Sequence, residues 1–152
     1  MLYTILYLSN AKMVLSDKQL GEILNESITW NDPHRITGFL AYIEGVLDDS
    51  TKCQFIQVLE GMKSDVEEIF AKIKLDSRHG DITVIKEGHI INRKFSLWKM
   101  GFERLHFSLN PKLQHFFSMN TMVLASDGNL EDNVVMQFMK SFYDQKEIIM
   151  SK

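Results

Sequence analysis

A single cysteine, Cys53, rules out an internal disulfide and leaves no cysteine set for a zinc site, which suits a reducing compartment. The five histidines, His34, His79, His89, His106 and His115, are scattered rather than spaced as metal ligands, so no metal is expected. No apolar run approaches the ~20 residues that cross a bilayer. The N-terminus also lacks a basic head followed by an apolar run and a small-residue cleavage site. A cytoplasmic protein without membrane association is therefore expected. Basic blocks are missing too. Lys and Arg number 17 against 20 Asp and Glu, a net charge of −3, and so direct binding to a phosphate backbone is not expected. Repeats, low-complexity tracts and clear linkers are absent.

What remains is a chain of 152 residues, 45% hydrophobic and 24% charged, enough for one core. Leu2 to Ser9 carries apolar residues in both alternating sets and reads as a central strand covered on two faces. Ser16 with Gln19 forms a capping-box pattern, and Leu20, Ile23, Leu24 and Ile28 follow at helical spacing, predicting a helix to about Trp30. Asn31-Asp32-Pro33 ends it, since the residue before proline is pushed out of the helical region. Ile36–Glu44 and Gln54–Leu59 read as strands joined by a long polar connection.

Ser64 with Glu67 repeats the capping signal ahead of Val66, Ile69, Phe70 and Ile73, predicting a second helix to about Leu75. Asp81–Gly88 and Phe95–Phe102 complete the strands. The fold class expected is α+β: a ferredoxin-like βαββαββ sheet with two helices on one face. Beyond Leu105, Pro111–Phe117 and then Val134, Val135, Phe138, Met139 and Phe142 have the spacing of amphipathic helices, and a helical tail is expected on the other face.

Three polar residues invite a chemical reading, though each has an ordinary one. Gln57 shares a strand face with Phe55 and Leu59. Its amide both donates and accepts, which suits a ring edge that does the same, or equally a bond to a neighbouring side chain. Tyr7 points to the face of Tyr3, Ile5 and Ser9 and lies beside Gln57 if the first and third strands are neighbours; a buried phenol is otherwise a packing residue. Asn31 is also a plausible C-terminal turn residue.

The combination is more specific than its parts. Tyr7 with Ser9, Asn31 ahead of Ile36-Thr37-Gly38, Tyr42, the strand Phe55 to Gly61, Asp76-Ser77-Arg78-His79, and Arg93, Phe95, Trp98 and Met100 together resemble the BLUF family of flavin-binding blue-light sensors over about residues 2–104. The resemblance implies FAD, or another flavin, as cofactor. It also implies Tyr7 as the donor of an electron and a proton, Gln57 as the amide that changes its hydrogen bonds, and Asn31 on the flavin's pyrimidine edge. By the same resemblance Ile23 and Phe55 enclose the ring, Arg78 and His79 lie near the ribityl and phosphate end, and Trp98 and Met100 relay the change. Residues 1–104 would be the photosensor and 105–152 a helical extension of the same unit.

Two departures from the family pattern stand out. The connection Ile43–Gln54 is longer than a tight hairpin, a partner surface or a solvated loop. Trp30 precedes the flavin-contacting asparagine, where it either alters the pocket wall, adds an electron donor or simply packs at the helix end. The methionines read mainly as core, with Met136, Met139 and Met150 as an alternative docking surface. No effector domain is expected, so signalling would be by contact, through homo-oligomers and a separate regulatory protein, without enzymatic activity. A small hydrolase on the same plan lacks a nucleophile with an adjacent base, and an RNA-binding module would want a basic sheet face.

Overall fold

The computed structural model describes residues 1–47, 50–106 and 133–145. Strand β1, Leu2–Ala11, is buried on both faces over most of its length, as its two apolar sets require. It pairs antiparallel with β3 (Ser50–Met62) on one side and β4 (His79–His89) on the other. β2 (Thr37–Leu47) is antiparallel to β3, and β5 (Trp98–His106) runs parallel to β2. The order β4-β1-β3-β2 is the ferredoxin-like arrangement, with β5 added at the β2 edge.

The long connection expected between the second and third strands is instead a long ladder. Pairing continues through Gly45↔Lys52 and Val46↔Thr51 to Leu47↔Ser50. Polar residues here read as loop in the sequence, but the backbone pairing continues through them, and Thr51 is a β-branched residue that favours extended backbone. The fifth strand begins later than expected, at Trp98, because the chain must first reach the far edge of the sheet. From β4 to β5 is four strand spacings, about 19 Å, and the segment 90–97 extends to roughly 26 Å.

That crossing is pinned to each strand end it passes. Ile90 donates its N–H to Leu2, and Arg93 donates to Thr37 Oγ1 and the Glu60 carbonyl. The Glu60 carboxylate, itself buried, accepts the N–H groups of Lys94 and Phe95 and the Thr37 hydroxyl. Burial pushes the Glu60 carboxyl above its ordinary range, and these donors work against that rise.

Helix α1, Asp17–Asn31, starts with the capping box that the sequence predicts, with Ser16 Oγ accepting from Gln19 N–H and Gln19 accepting from Ser16 N–H. Helix α2, Lys63–Lys74, does not use Ser64 and Glu67 in this way: its cap is Met62, without a side-chain hydrogen bond. β3 runs straight into α2, so the helix begins before Ser64 reaches a cap position. α1 and α2 cover one face of the sheet, burying Leu20, Ile23 and Leu24 and then Val66 and Phe70.

The other face is covered by α3, Val134–Gln145. Asn133 Oδ1 caps it by accepting from Val135 and Met136 N–H. Val135, Met136, Met139 and Tyr143 pack on Leu6, Leu8, Phe39, Ile56, Val58 and Phe95. Met136 and Met139 are thus core residues rather than a docking surface. The expected segment 111–117 and Met150 lie outside the described residues, as do the side chains of Val134, Phe138 and Phe142.

Candidate functional site

Antiparallel pairing sets Tyr7 directly opposite Gln57, in the β1–β3 register, and both side chains stand on the α1/α2 face. Gln57 is 4% and Tyr7 2% exposed. Gln57 Nε2 donates to Tyr7 Oη at 2.6 Å, and Gln57 Oε1 accepts from Trp98 Nε1 at 3.2 Å. The indole N–H is a donor only, so the amide atom facing it must be the oxygen, which fixes the amide's orientation. The phenol accepts in this pair, and its own O–H is not spent on the amide. Burial pushes the Tyr7 phenol well above its ordinary range, the Gln57 hydrogen bond lowers it, and the Asp76 charge raises it. Tyr7 is therefore a neutral, protonated phenol at any physiological pH.

A cavity of about 60 Å³ lies beside this pair, lined by Tyr7, Ile23, Leu40, Phe55, Gln57, Ile73, Asp76, Arg78 and His79. α1 supplies Ile23, α2 supplies Ile73, and the sheet supplies the floor. Six residues singled out in the sequence thus share one wall. Leu40 and Ile73 were missed, although Leu40 is two residues from Tyr42 on the same strand face and Ile73 lies on the apolar stripe of α2. Met100 is buried next to Leu40, which it pairs with across β2 and β5.

His79 donates from Nε2 to the Ile73 carbonyl at 2.7 Å, and its Nδ1 shares a hydrogen bond with Ser9 Oγ at 2.6 Å. The ring is thereby fixed edge-on to Phe55. Arg78 is held between Asp76, with Nε–Oδ1 at 2.9 Å, and Glu26 of α1 at 2.8 Å. This pairing ties α1 to the turn after α2 at the cavity's polar end; Glu26 was not singled out in the sequence, and Asp76 entered only as part of the Asp76-Ser77-Arg78-His79 motif, without a role of its own. Hydrogen bonds from Arg78 hold the Asp76 carboxyl below its ordinary 3.8, with burial opposing.

The Asp76 contribution is full above pH 3.8 and is lost as pH falls through the lower folded value. Asp76→Asn should accordingly cost about 1 kcal/mol at neutral pH, a melting-temperature drop of about 2–4 °C. Melting curves of the two proteins should converge on acidification; a pH-independent gap would remove Asp76 from this role.

Asn31 does not share that cavity. It ends α1, accepts Ile36 N–H at its backbone carbonyl, and lines a larger space of about 650 Å³ with Ile28, Arg35, Thr37, Arg93 and Trp98. Its side chain is buried, yet Oδ1 has no hydrogen-bond partner among the described residues. An orphaned buried amide oxygen costs about 1–3 kcal/mol, which a ligand donor would recover. Trp98 both lines this larger space and bonds Gln57, so it stands between the two cavities. Trp30 is not part of the lining of either: it stacks on His34 at 3.7 Å with Lys72 against the ring, a helix-end packing residue.

Comparison with known proteins agrees with this architecture. The family model for BLUF, sensors of blue light using FAD, matches residues 2–101, and the chain belongs to that family, whose members bind FAD as chromophore. A photoactivated adenylate cyclase subunit alpha of Euglena gracilis is 33% identical over 84 residues, covering 55% of this chain but 8% of that protein. The subunit beta of Euglena longa is 31% identical over 94 residues, 62% of this chain and 10% of its own. This chain thus corresponds to a small part of those cyclase subunits. Among solved structures, the BlsA ground state superposes with a TM-score of 0.65 at 25% identity, covering 100% of this chain and 93% of that one. The dark-state structure of the BLUF protein BlrB, at 22% identity with a TM-score of 0.65, covers 93% and 96% respectively and shares the fold.

Proposed function

We propose that this chain is a blue-light photoreceptor in which Tyr7 and Gln57 carry the photochemistry and Trp98 passes its result onward. The observation that carries this is the buried Gln57 amide, bonded at one end to a phenol and at the other to an indole. When bound, the flavin supplies blue-light absorption and a strongly oxidising excited state. Ile23, Leu40, Phe55 and Ile73 would face its ring, Asn31 Oδ1 would accept from its pyrimidine edge, and His79 with Arg78 would lie toward its ribityl and phosphate end.

The chemistry of these donors fits such a ligand, but the space is small. Ligand cavities usually exceed about 300 Å³, so admitting a tricyclic ring requires the side chains of α1 and α2 to part. The Glu26–Arg78–Asp76 pairing spans that gap and would loosen on loading.

Tyr7 is suited to give up an electron and a proton together, because it is an oxidisable side chain held protonated by its burial. The Gln57 amide is suited to retain the event. Its two ends are nearly isosteric but opposite in hydrogen-bond sense, so exchanging them by rotation or tautomer shift needs little motion. The phenol could then donate to Oε1. A rotation would also bring Nε2–H₂ against the Trp98 N–H, donor against donor, and the indole must leave. Output would follow by contact, through homo-oligomers or a separate regulatory protein.

The first test is the absorption spectrum of the FAD-loaded protein in darkness and under blue light. A structured flavin band that shifts to the red and recovers in darkness is expected. In Tyr7→Phe the flavin remains bound and the normal shift is lost; a normal photocycle in that variant would take the electron donor away from Tyr7.

A further inference from the structure

We infer that Tyr143 is the residue through which the Gln57 amide acts on the C-terminal helix: its hydroxyl latches α3 to the Leu97–Trp98 peptide, and release of Trp98 loosens the latch. This rests on the photosensor function proposed above and names its path to the opposite face of the sheet.

Residues 97 and 98 form a junction with three ties. The Trp98 indole donates to Gln57 Oε1 at 3.2 Å, the Leu97 carbonyl accepts from Gly38 N–H at 3.0 Å, and the Leu97 N–H donates to Tyr143 Oη at 3.1 Å. The same hydroxyl lies 3.0 Å from Ser96 Oγ. Trp98 projects to the flavin side of the sheet, whereas Tyr143 belongs to α3 on the other, so the main chain at 97–98 is where the two faces meet.

Two features make this a latch rather than incidental packing. The Tyr143 ring is held by its surroundings whether or not the hydroxyl is present. It stands edge-on to Phe95 at 5.0 Å and Phe39 at 5.9 Å, with Lys99 Nζ 4.0 Å from its centroid. The buried contacts of Val135, Met136 and Met139 are apolar and non-directional, so a small slide costs them little. A hydrogen bond is directional and weakens steeply once misaligned. Room for the indole to move exists as well, since Trp98 lines the 650 Å³ cavity at the end of α1.

The test is hydrogen exchange of residues 134–145 in the full FAD-loaded chain, in darkness and under blue light, with flavin absorption read on the same samples. Light is expected to speed exchange in α3 of the unsubstituted protein by about tenfold, the worth of one hydrogen bond. Tyr143→Phe should keep the flavin red shift, exchange faster in darkness, and show no further change in light. Trp98→Phe should keep dark protection of α3 and lose the light response, because the ring still fills its place beside Gln57 but carries no N–H for the rotated amide to push away. A light-dependent change in α3 that persists in Tyr143→Phe, or a red shift without any change in α3 of the unsubstituted protein, would overturn the latch alone. Absence of the red shift in the unsubstituted protein would overturn the photosensor function along with it, and the absorption band tells the two cases apart.

Discussion

Gln57→Leu should yield a protein that binds flavin and shows no normal light-induced red shift. Leucine is close in size to glutamine and apolar, so it fills the space between Tyr7 and Trp98 but offers neither a donor to the phenol nor an acceptor to the indole. The Trp98 N–H then loses its partner, at a cost of about 1–3 kcal/mol that the added apolar burial partly offsets. Folding survives this, and the photochemical response does not, because the proposed memory of the event is the exchange of two unlike amide ends. Difference spectra before and after blue light check it. A red shift of ordinary size and recovery in Gln57→Leu would mean that the amide is not the switch.

The second large effect concerns Gly38, which sits in β2 between Leu59 of β3 and Trp98 of β5. Its φ is 144°, a backbone region that L side chains rarely adopt, and a Cβ built there would overlap the Val58 carbonyl. That carbonyl belongs to the neighbouring strand and cannot swing aside as a flexible side chain would. Gly38→Ala therefore combines backbone strain, about 1–3 kcal/mol, with overpacking of similar size. A loss of about 3–5 kcal/mol is expected, lowering the melting temperature by roughly 10 °C. Gly38 N–H also bonds the Leu97 carbonyl, so the surviving folded fraction should show an altered flavin band as Trp98 is displaced. Circular-dichroism melts measure the first effect, and a melting point within 2 °C of the unsubstituted protein, a margin of about 0.5 kcal/mol, would refute the strain.

The core of the fold was legible in the sequence because its signals are local. The Ser16–Gln19 box, the i, i+3, i+4 spacing of Leu20, Ile23 and Leu24, and the doubly apolar run of β1 each reflect a period that a few neighbouring residues determine. The family resemblance drew Tyr7, Gln57, Asn31 and Trp98 together for the same reason: they are conspicuous residue types at characteristic distances along the chain. Local signals also misled. Ser64 and Glu67 look like a cap, but the strand before them runs into the helix and leaves no cap position there. The polar stretch between Ile43 and Gln54 looks like a loop, yet cross-strand pairing extends it to Leu47 and Ser50.

The amino-acid sequence by itself determined the element types, the class of sheet, and the presence of a phenol and an amide on the same kind of strand face. Those follow from steric preference and hydrophobic period, which act over a turn or a few residues. The partners of that amide were decided only by tertiary structure. Gln57 meets Tyr7 and Trp98 from strands 50 and 41 residues away, and Tyr143 reaches Leu97 across 46. Nothing in the local spacing of a sequence encodes such meetings; they exist because one sheet carries β1, β3 and β5 together and helices close both its faces.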